Sequence, residues 1–167
     1  EFPDKYFELA IVDPPYGILD AGGQTGGMGE VFKNRKFSRK DYAVWDKAPK
    51  QEYFDELFRI SKNQIIWGGN YFNLPTNRCF IVWDKVQPWE TFSMCEYAWA
   101  SFVSPAKLFR FDNRTSGKIH PTQKPVALYE WLLYNYAKQG DKILDTHVGS
   151  ASSLIACHNL GFQYVGF

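Results

Sequence analysis

The chain has 167 residues, 45% of them hydrophobic and 18% aromatic, which is enough apolar material for one domain with a sizeable core. Its formal net charge of +1 gives no global attraction to nucleic acid, so any such surface has to be local. No run reaches the roughly 20 apolar residues of a membrane span, and the first residues do not form a signal peptide. We therefore expect a soluble, cytoplasmic protein of a bacterium or phage. The missing initiating Met and the two abrupt ends predict a single domain over residues 1–167 that is truncated at both ends.

Short apolar runs alternate along the chain with segments of helical periodicity. The predicted strands are Leu9–Val12, Gln64–Trp67, Cys79–Trp83, Glu96–Phe102, Ala106–Phe111, Lys142–Asp145 and Tyr164–Gly166. The predicted helices are Lys50–Ile60, Val126–Lys138 and Ser152–Leu160. This alternation predicts an α/β fold with a mostly parallel, Rossmann-like sheet and a late antiparallel hairpin.

The first predicted strand runs directly into Asp13-Pro14-Pro15-Tyr16. The prolines end the strand, and open α/β sheets bind ligands at the carboxyl ends of their strands. Asp13 and the Pro14 carbonyl can accept hydrogen bonds from an exocyclic amino group, while Tyr16 offers a face on which a base can stack. Such hydrogen bonds localise the nitrogen lone pair, so the pattern favours an amino-methyltransferase. The alternative is a proline turn that only ends a strand.

Residues 17–40 are rich first in glycine and then in basic side chains, which predicts a mobile loop beside the proposed base pocket. The basic residues expected to contact nucleic acid here are Lys33, Arg35, Lys36, Arg39 and Lys40. A second basic group expected to meet phosphates from the same side contains Lys107, Arg110, Arg114 and Lys118. The alternative for the loop is a solvated segment without a ligand.

Two later segments have the form of a cofactor site. The sequence H-P-T-Q-K-P at positions 120–125 precedes a predicted helix. The predicted strand Lys142–Asp145 is followed by the small-residue turn T-H-V-G-S-A-S-S at positions 146–153 and then by another helix. A strand, a small-residue turn and a helix in this order are typical of a cofactor-binding arrangement.

With these three segments the chain resembles the DNA amino-methyltransferases of the adenine-N6 and cytosine-N4 family, in the circularly permuted group whose catalytic motif precedes the cofactor motif. The resemblance implies a Rossmann-like fold, S-adenosylmethionine as cofactor and double-stranded DNA as partner. The catalytic residues that it implies, at the flipped-out target base, are Asp13, Pro14, Pro15 and Tyr16. The cofactor-binding residues that it implies are Asp145, Gly149, Ser150, Thr122, Gln123 and Lys124.

In this family D-P-P-Y usually accompanies N6 methylation of adenine, so Asp13 favours adenine. N4 methylation of cytosine, methylation of RNA or of a protein amide, and a non-catalytic nucleic-acid-binding subunit remain alternatives. The cofactor turn departs from the common D-P-F-x-G-S-G at Thr146, His147 and Ala151. The missing glycine at Ala151 matters only if the backbone there needs a positive φ.

The remaining expectations concern recognition, cysteines and metals. The segment 101–119 is too short for a separate recognition domain, so recognition uses the two basic groups or a second subunit, and a homodimer is the preferred arrangement. Cys79, Cys95 and Cys157 are expected to be buried free thiols. The three histidines lack the paired spacing of zinc ligands, so we expect no metal. Most tryptophans are expected in the core.

Overall fold

The computed structural model describes residues 2–18, 46–88, 93–112 and 123–167. The strands in these ranges are β1 (Phe7–Val12), β2 (Ser61–Trp67), β3 (Phe80–Asp84), β4 (Cys95–Ala100), β5 (Lys107–Arg110), β6 (Lys142–Asp145) and β7 (Gln163–Gly166). The α-helices are α1 (Gln51–Ile60), α2 (Val126–Tyr136) and α3 (Ser152–Asn159), and a 3₁₀ turn covers Gly69–Tyr71. Within these ranges, no helix has the length and apolar character needed to cross a membrane.

All of these strands join one sheet in the order β5-β3-β4-β2-β1-β6-β7. β1 pairs in parallel with β2 and β6, β6 with β7, and β3 with β5. β4 is antiparallel to both of its neighbours, β2 and β3. The carboxyl ends of six strands therefore meet the amino end of β4 along one side of the sheet, which we call the carboxyl edge. The predicted α/β fold with a mostly parallel sheet is confirmed.

The antiparallel hairpin of this sheet is formed by β3 and β4. Trp83 lies opposite Glu96 and Asp84 opposite Cys95, and the N–H of Lys85 continues the pairing by donating to the carbonyl of Met94 at 2.9 Å. β5 then returns beside β3 rather than beside β4. As a result, the residues just after β3 and those at the start of β4 both lie at the carboxyl edge.

Apolar side chains pack on both faces of the sheet. Successive side chains of β1 point to opposite faces, as expected for a strand. Leu9 and Ile11 belong to the cluster that contains α2 and α3, whereas Ala10 and Val12 belong to the cluster that contains α1. Each fully buried large apolar side chain contributes roughly 1.5–3 kcal/mol to folding. The side chains buried in this way include Leu9, Ile11, Leu57, Ile65, Ile81, Leu128 and Leu132. This packed frame holds the turns at the carboxyl edge.

Every predicted strand and helix is present, with shifts of a few residues at the ends. The largest shift is in β2, which begins at Ser61, directly after α1, instead of at Gln64. The reason is that Ser61, Lys62 and Asn63 are polar and hide the strand pattern, although Ser61 is fully buried and its hydroxyl donates to the carbonyl of Leu57. The predicted core tryptophans Trp67, Trp83 and Trp99 are buried, and Trp89 lies outside the described residues.

The cysteine prediction is correct for two of the three thiols. Cys79 and Cys157 are free and buried, whereas Cys95 is free and exposed. The prediction for Cys95 was wrong because this residue opens β4, whose buried part begins only at Ala98. Within the described ranges, no group of three or more His, Cys, Asp and Glu side chains is arranged to hold a metal ion. The expectation of no metal stays a prediction.

Candidate active site

The D-P-P-Y turn follows β1 at the carboxyl edge and is held by hydrogen bonds within the protein. Pro14 is buried, and the side chain of Asp13 is 25% exposed. The hydroxyl of Tyr16 donates to Oδ1 of Asp13 at 2.8 Å. Oδ1 of Asp46 accepts the backbone N–H groups of Tyr16 and Gly17, each at 2.9 Å. Asp46 therefore fixes the backbone of the turn, a role that the sequence analysis did not predict.

The ring of Tyr16 lies against the backbone that follows β2. A β-carbon at Gly68 would lie 2.2 Å from Cε1 of Tyr16, so only glycine fits there, and its φ of +66° also favours glycine. Tyr16 stacks with the half-exposed ring of Tyr71, with 5.0 Å between centroids. Burial raises the pKa of the Tyr16 hydroxyl, which therefore stays protonated and can donate to Asp13. The predicted stacking of a base on Tyr16 stays a prediction.

Lys124 connects the H-P-T-Q-K-P segment to the D-P-P-Y turn. Its side chain is 4% exposed, and its Nζ lies 2.5 Å from Oδ2 of Asp13 and 3.0 Å from Oε2 of Glu96. Nζ also lies 5.1 Å from the ring centroid of Trp67. Burial lowers the pKa of Lys124, but the two carboxylates outweigh it and hold the pKa well above its usual value. Lys124 is therefore an ammonium ion shared between two carboxylates.

Glu96 continues this ionic contact towards β3. Its Oε1 lies 2.6 Å from Nζ of Lys85, whose side chain is 16% exposed. Burial raises the pKa of Glu96, but attraction by Lys124 and Lys85 dominates and lowers it to about 2. Lys85 also lies over the ring of Trp83, 5.5 Å from its centroid. The carboxylate of Glu96 thus remains charged beside the site.

The turn after β6 is organised by the buried side chain of Asp145. Oδ1 of Asp145 accepts the backbone N–H of His147 at 2.9 Å, and Oδ2 accepts the hydroxyl of Ser153. Burial raises the pKa of Asp145 to about 6, despite these two hydrogen bonds. Asp145 therefore lies behind the turn and fixes its shape.

The backbone of this turn passes twice through the left-handed region. Gly149 has a φ of +50°, which glycine adopts without strain. Ala151 has φ +60° and ψ +18° immediately before α3. The substitution of alanine for the family's glycine thus falls at a position that needs a positive φ, where a β-carbon is unfavourable.

Thr146 and His147, the other two departures from the family pattern, are held by Tyr53 of α1. The Tyr53 hydroxyl lies 2.6 Å from Oγ1 of Thr146 and 3.4 Å from Nδ1 of His147. The two turn side chains are themselves 3.0 Å apart. Burial lowers the pKa of His147, so its imidazole is neutral near pH 7. Three polar groups therefore satisfy one another at the wall of the site.

A pocket of about 240 Å³ lies between the D-P-P-Y turn, the start of α2 and the turn after β6. Its lining within the described ranges consists of Asp13, Gln123, Lys124, Tyr129, His147, Val148, Gly149, Ser150 and Ser152. The structure thus brings together five of the residues predicted for catalysis and cofactor binding: Asp13, Gln123, Lys124, Gly149 and Ser150. Asp145 lies behind the pocket, and Thr122 lies outside the described residues.

Of the predicted nucleic-acid contacts, the structure describes Lys107 and Arg110. Lys107 begins β5, at the end away from the carboxyl edge, and its Nζ donates to Oδ1 of Asn135 at 2.5 Å. Lys33, Arg35, Lys36, Arg39, Lys40, Arg114 and Lys118 lie outside the described residues. Arg110 ends β5 at the carboxyl edge, where its Nε lies 3.0 Å from Oδ2 of Asp84 and its side chain is 67% exposed. Four strand spacings of ~4.8 Å place β5 roughly 19 Å from β1. Arg110 is therefore on the correct edge but far from Asp13.

The residues of the site that sequence reasoning missed include Asp46, Tyr53, Lys85 and Glu96, together with Tyr129, Val148 and Ser152 of the pocket lining. Glu96 offered the clearest signal, because a charged residue in a largely apolar strand, here with a side chain only 24% exposed, is uncommon. Only the antiparallel direction of β4, however, brings that position to the carboxyl edge. The direction of β4 follows from the order of the strands in the sheet, which cannot be predicted from the local sequence pattern.

The family of the chain follows from comparison with known proteins. The family model described as DNA methylase matches residues 34–167, so this chain belongs to the DNA methylase family. The resemblance identified from the three sequence motifs is therefore confirmed.

Among individual proteins, the chain is similar to the type II methyltransferase M2.DpnII of Streptococcus pneumoniae, with 26% identity over 171 residues that cover 99% of this chain and 61% of that protein. It is also similar to M2.MboI of Moraxella bovis, with 27% identity over 140 residues that cover 83% of this chain and 48% of that protein. The chain thus spans 61% and 48% of the lengths of these two relatives.

Solved structures share the fold. The complex of M1.HpyAVI with SAM has a TM-score of 0.57 at 18% identity, covering 97% of this chain and 82% of that chain. The PvuII DNA methyltransferase, described as cytosine-N4-specific, has a TM-score of 0.60 at 11% identity, covering 100% of this chain and 76% of that chain.

Proposed function

We propose that the protein transfers the methyl group of S-adenosylmethionine to an exocyclic amino group of a DNA base, and that the group is N6 of adenine. The observation that carries the proposal is the shared pocket: Asp13 forms one wall, and Gly149 and Ser150 form another. An acceptor for an amino group and a small-residue turn suited to a cofactor therefore face the same space.

The charges around this pocket suit a cationic methyl donor. The ammonium of Lys124 is compensated by Asp13 and Glu96, and the imidazole of His147 is neutral near pH 7. Gly149 and Ser150 line the pocket, where the Ser150 hydroxyl lies 3.0 Å from that of Ser152. When bound, S-adenosylmethionine supplies an electrophilic methyl group on a sulfonium. Gln123, Gly149 and Ser150 are the residues that we propose hold it.

The D-P-P-Y turn performs the rest of the chemistry on the target base. Asp13 and the Pro14 carbonyl accept hydrogen bonds from the amino group, which localises the nitrogen lone pair towards the methyl donor. No base needs to remove a proton before transfer: the new N–C bond would replace the C–S bond of the donor, a neutral thioether would leave, and the methylated nitrogen would then release one proton to water. The buried Tyr16 hydroxyl and the Lys124 ammonium fix the two oxygens of Asp13, so the acceptor geometry is set before the base arrives.

The relatives support this class of reaction. M2.DpnII and M2.MboI are type II methyltransferases, and the M1.HpyAVI structure is a complex with SAM. The choice of adenine depends on the aspartate that begins the D-P-P-Y motif; N4 of cytosine is the alternative, because the same hydrogen bonds would serve that amino group. For the whole protein we also propose that the substrate is double-stranded DNA, that the predicted basic residues contact it, and that the protein is a homodimer.

The test uses the full-length protein with unmethylated DNA and labelled S-adenosylmethionine. Asp13→Ala is expected to lower methyl transfer by at least about 100-fold, because the amino group loses its carboxylate acceptor. Its Kd for S-adenosylmethionine, measured by calorimetry, is expected to stay within about threefold of wild type. Asp55→Ala, on the exposed face of α1, is the matched control and should leave both unchanged. Unchanged turnover in Asp13→Ala would refute the proposed pocket.

A further inference from the structure

Four charged side chains from four separate segments form a continuous line of alternating sign at the carboxyl edge. Asp13 follows β1, Lys124 precedes α2, Glu96 lies in β4 and Lys85 follows β3. The three successive contacts between them measure 2.5, 3.0 and 2.6 Å. Only Asp13 and Lys124 line the pocket. Glu96 and Lys85 form the outer half of the line.

We propose that Glu96 is a positioning residue for methyl transfer, which acts on Asp13 through Lys124. By sharing the Lys124 ammonium, Glu96 keeps part of the hydrogen-bonding capacity of Asp13 available to the target amino group. This inference rests on the proposed function, because it concerns the same site and the same transfer.

The number of hydrogen bonds that each group can make supports this role. An ammonium has three donors, and a carboxylate has about four lone-pair positions. Asp13 uses one position for the hydroxyl of Tyr16 and one for Lys124, which leaves acceptor positions for an amino group. Without Glu96, the ammonium would turn its free donors and its whole charge to Asp13, in competition with that amino group.

The charge that develops during the reaction also favours a carboxylate at Glu96. The amino nitrogen becomes positive as it accepts a methyl group, so an uncompensated ammonium next to Asp13 would oppose the transfer. Glu96 lies 3.0 Å from that ammonium, and Lys85 in turn keeps Glu96 ionised. The outer pair therefore reduces the positive potential at the reacting nitrogen.

Folding stability alone does not account for this line of charges. Lys124 is almost fully buried, and a buried ionic line is often no more stable than apolar residues of similar volume. A charged group retained in such a place is therefore better explained by the chemistry beside it.

The experiment measures steady-state methyl transfer by the full-length protein with Glu96→Gln. We expect kcat to fall about tenfold, while the KM for S-adenosylmethionine stays within about twofold of wild type. The matched control is Glu8→Gln at the opposite end of the sheet, where Glu8 forms an ion pair of 3.1 Å with Lys62. It should leave both constants unchanged.

A second variant guards against loss of folding. The double variant Glu96→Gln/Lys85→Met removes one charge of each sign and leaves no unpaired Lys85, and we expect the same fall in kcat. A wild-type kcat in a folded Glu96→Gln protein, or a raised KM for S-adenosylmethionine with kcat unchanged, would overturn the inference and leave the proposed function intact. A wild-type protein that transfers no methyl group would overturn both.

Discussion

Nζ of Lys124 lies 2.5 Å from Oδ2 of Asp13, although 111 positions separate the two residues in the chain. This contact joins the turn after β1 to the segment before α2 and closes one side of the pocket. It places a buried ammonium next to the carboxylate that we propose receives the target amino group. This ionic contact thus holds two of the segments that line the pocket against each other.

Replacement of Lys124 by methionine should therefore affect stability as well as activity. The variant leaves Asp13 without its cation and Glu96 with Lys85 as its remaining cation, and the loss of one partner from a buried ionic group costs about 3 kcal/mol of unfolding free energy. Urea unfolding of the full-length protein measures this cost. Lys62→Met, which breaks an exposed ion pair with Glu8, should cost less than about 1 kcal/mol. Equal losses of unfolding free energy in the two variants would contradict the claim that Lys124 stabilises a buried ionic contact.

The hydroxyl of Tyr53 should support cofactor binding through the turn after β6. Tyr53→Phe keeps the ring but removes the contacts to Thr146 and His147, and His147 lines the pocket. A lost hydrogen bond of this kind costs about 1 kcal/mol, so we expect the Kd for S-adenosylmethionine to rise about fivefold. Calorimetric titration of the full-length protein measures this Kd. An unchanged Kd would refute a role of the Tyr53 hydroxyl in cofactor binding.

The stability of the protein should depend on pH through Asp145. Its pKa is about 6 in the folded state because of burial, against about 3.9 in an unfolded chain. The folded state therefore binds the proton more tightly, and this contribution, fully present below about pH 4, is lost as the pH rises to about 6. The loss is on the order of 2 to 3 kcal/mol.

Asp145→Asn isolates this effect, because asparagine keeps a side-chain oxygen for the N–H of His147 but does not titrate. His147, whose pKa is lowered by burial, changes stability in the opposite direction, and it does so in both proteins. Unfolding free energies measured from pH 4 to pH 6 should fall more in wild type than in Asp145→Asn. Parallel profiles would show that Asp145 keeps an ordinary pKa.

Ala151→Gly should stabilise the protein. Alanine at φ +60° is strained by its β-carbon, and glycine removes about 1 kcal/mol of that strain. Thermal unfolding provides the measurement, with an expected increase in Tm. Ala137→Gly is the matched control, since Ala137 also flanks a helix but has a φ of −114°, so glycine there should be neutral or destabilising. A lower Tm in both variants would contradict the strain at Ala151.

The sequence predicted the strands and helices because each is marked by local features. Apolar runs identify β1, β3 and β6, and helical spacing identifies α2. It also predicted that Asp13, Lys124 and Gly149 belong to one site, although this came from motif order rather than from packing. The residues of the site that lie in recognisable motifs could thus be predicted from the sequence.

The rest of the site depends on contacts across the sheet. Glu96 reaches Lys124 only because β4 runs antiparallel between β2 and β3, and no local pattern reports that strand order. Asp46 holds the turn at Tyr16 from 30 positions further along the chain. The sequence analysis stated that a positive φ at Ala151 would matter but did not predict it, because the identity of a residue does not determine its backbone angles. Partners at a distance are what sequence reasoning missed.

The most direct test of the proposed function identifies the product. The full-length protein would be incubated with S-adenosylmethionine and unmethylated DNA, and the DNA would then be digested to nucleosides. Mass spectrometry would identify the modified nucleosides, and the Asp13→Ala variant would be treated in parallel. The account predicts N6-methyladenine from the wild-type protein and none from the variant. N4-methylcytosine would keep the site and correct the base, whereas DNA without any methylated amino group would contradict the account.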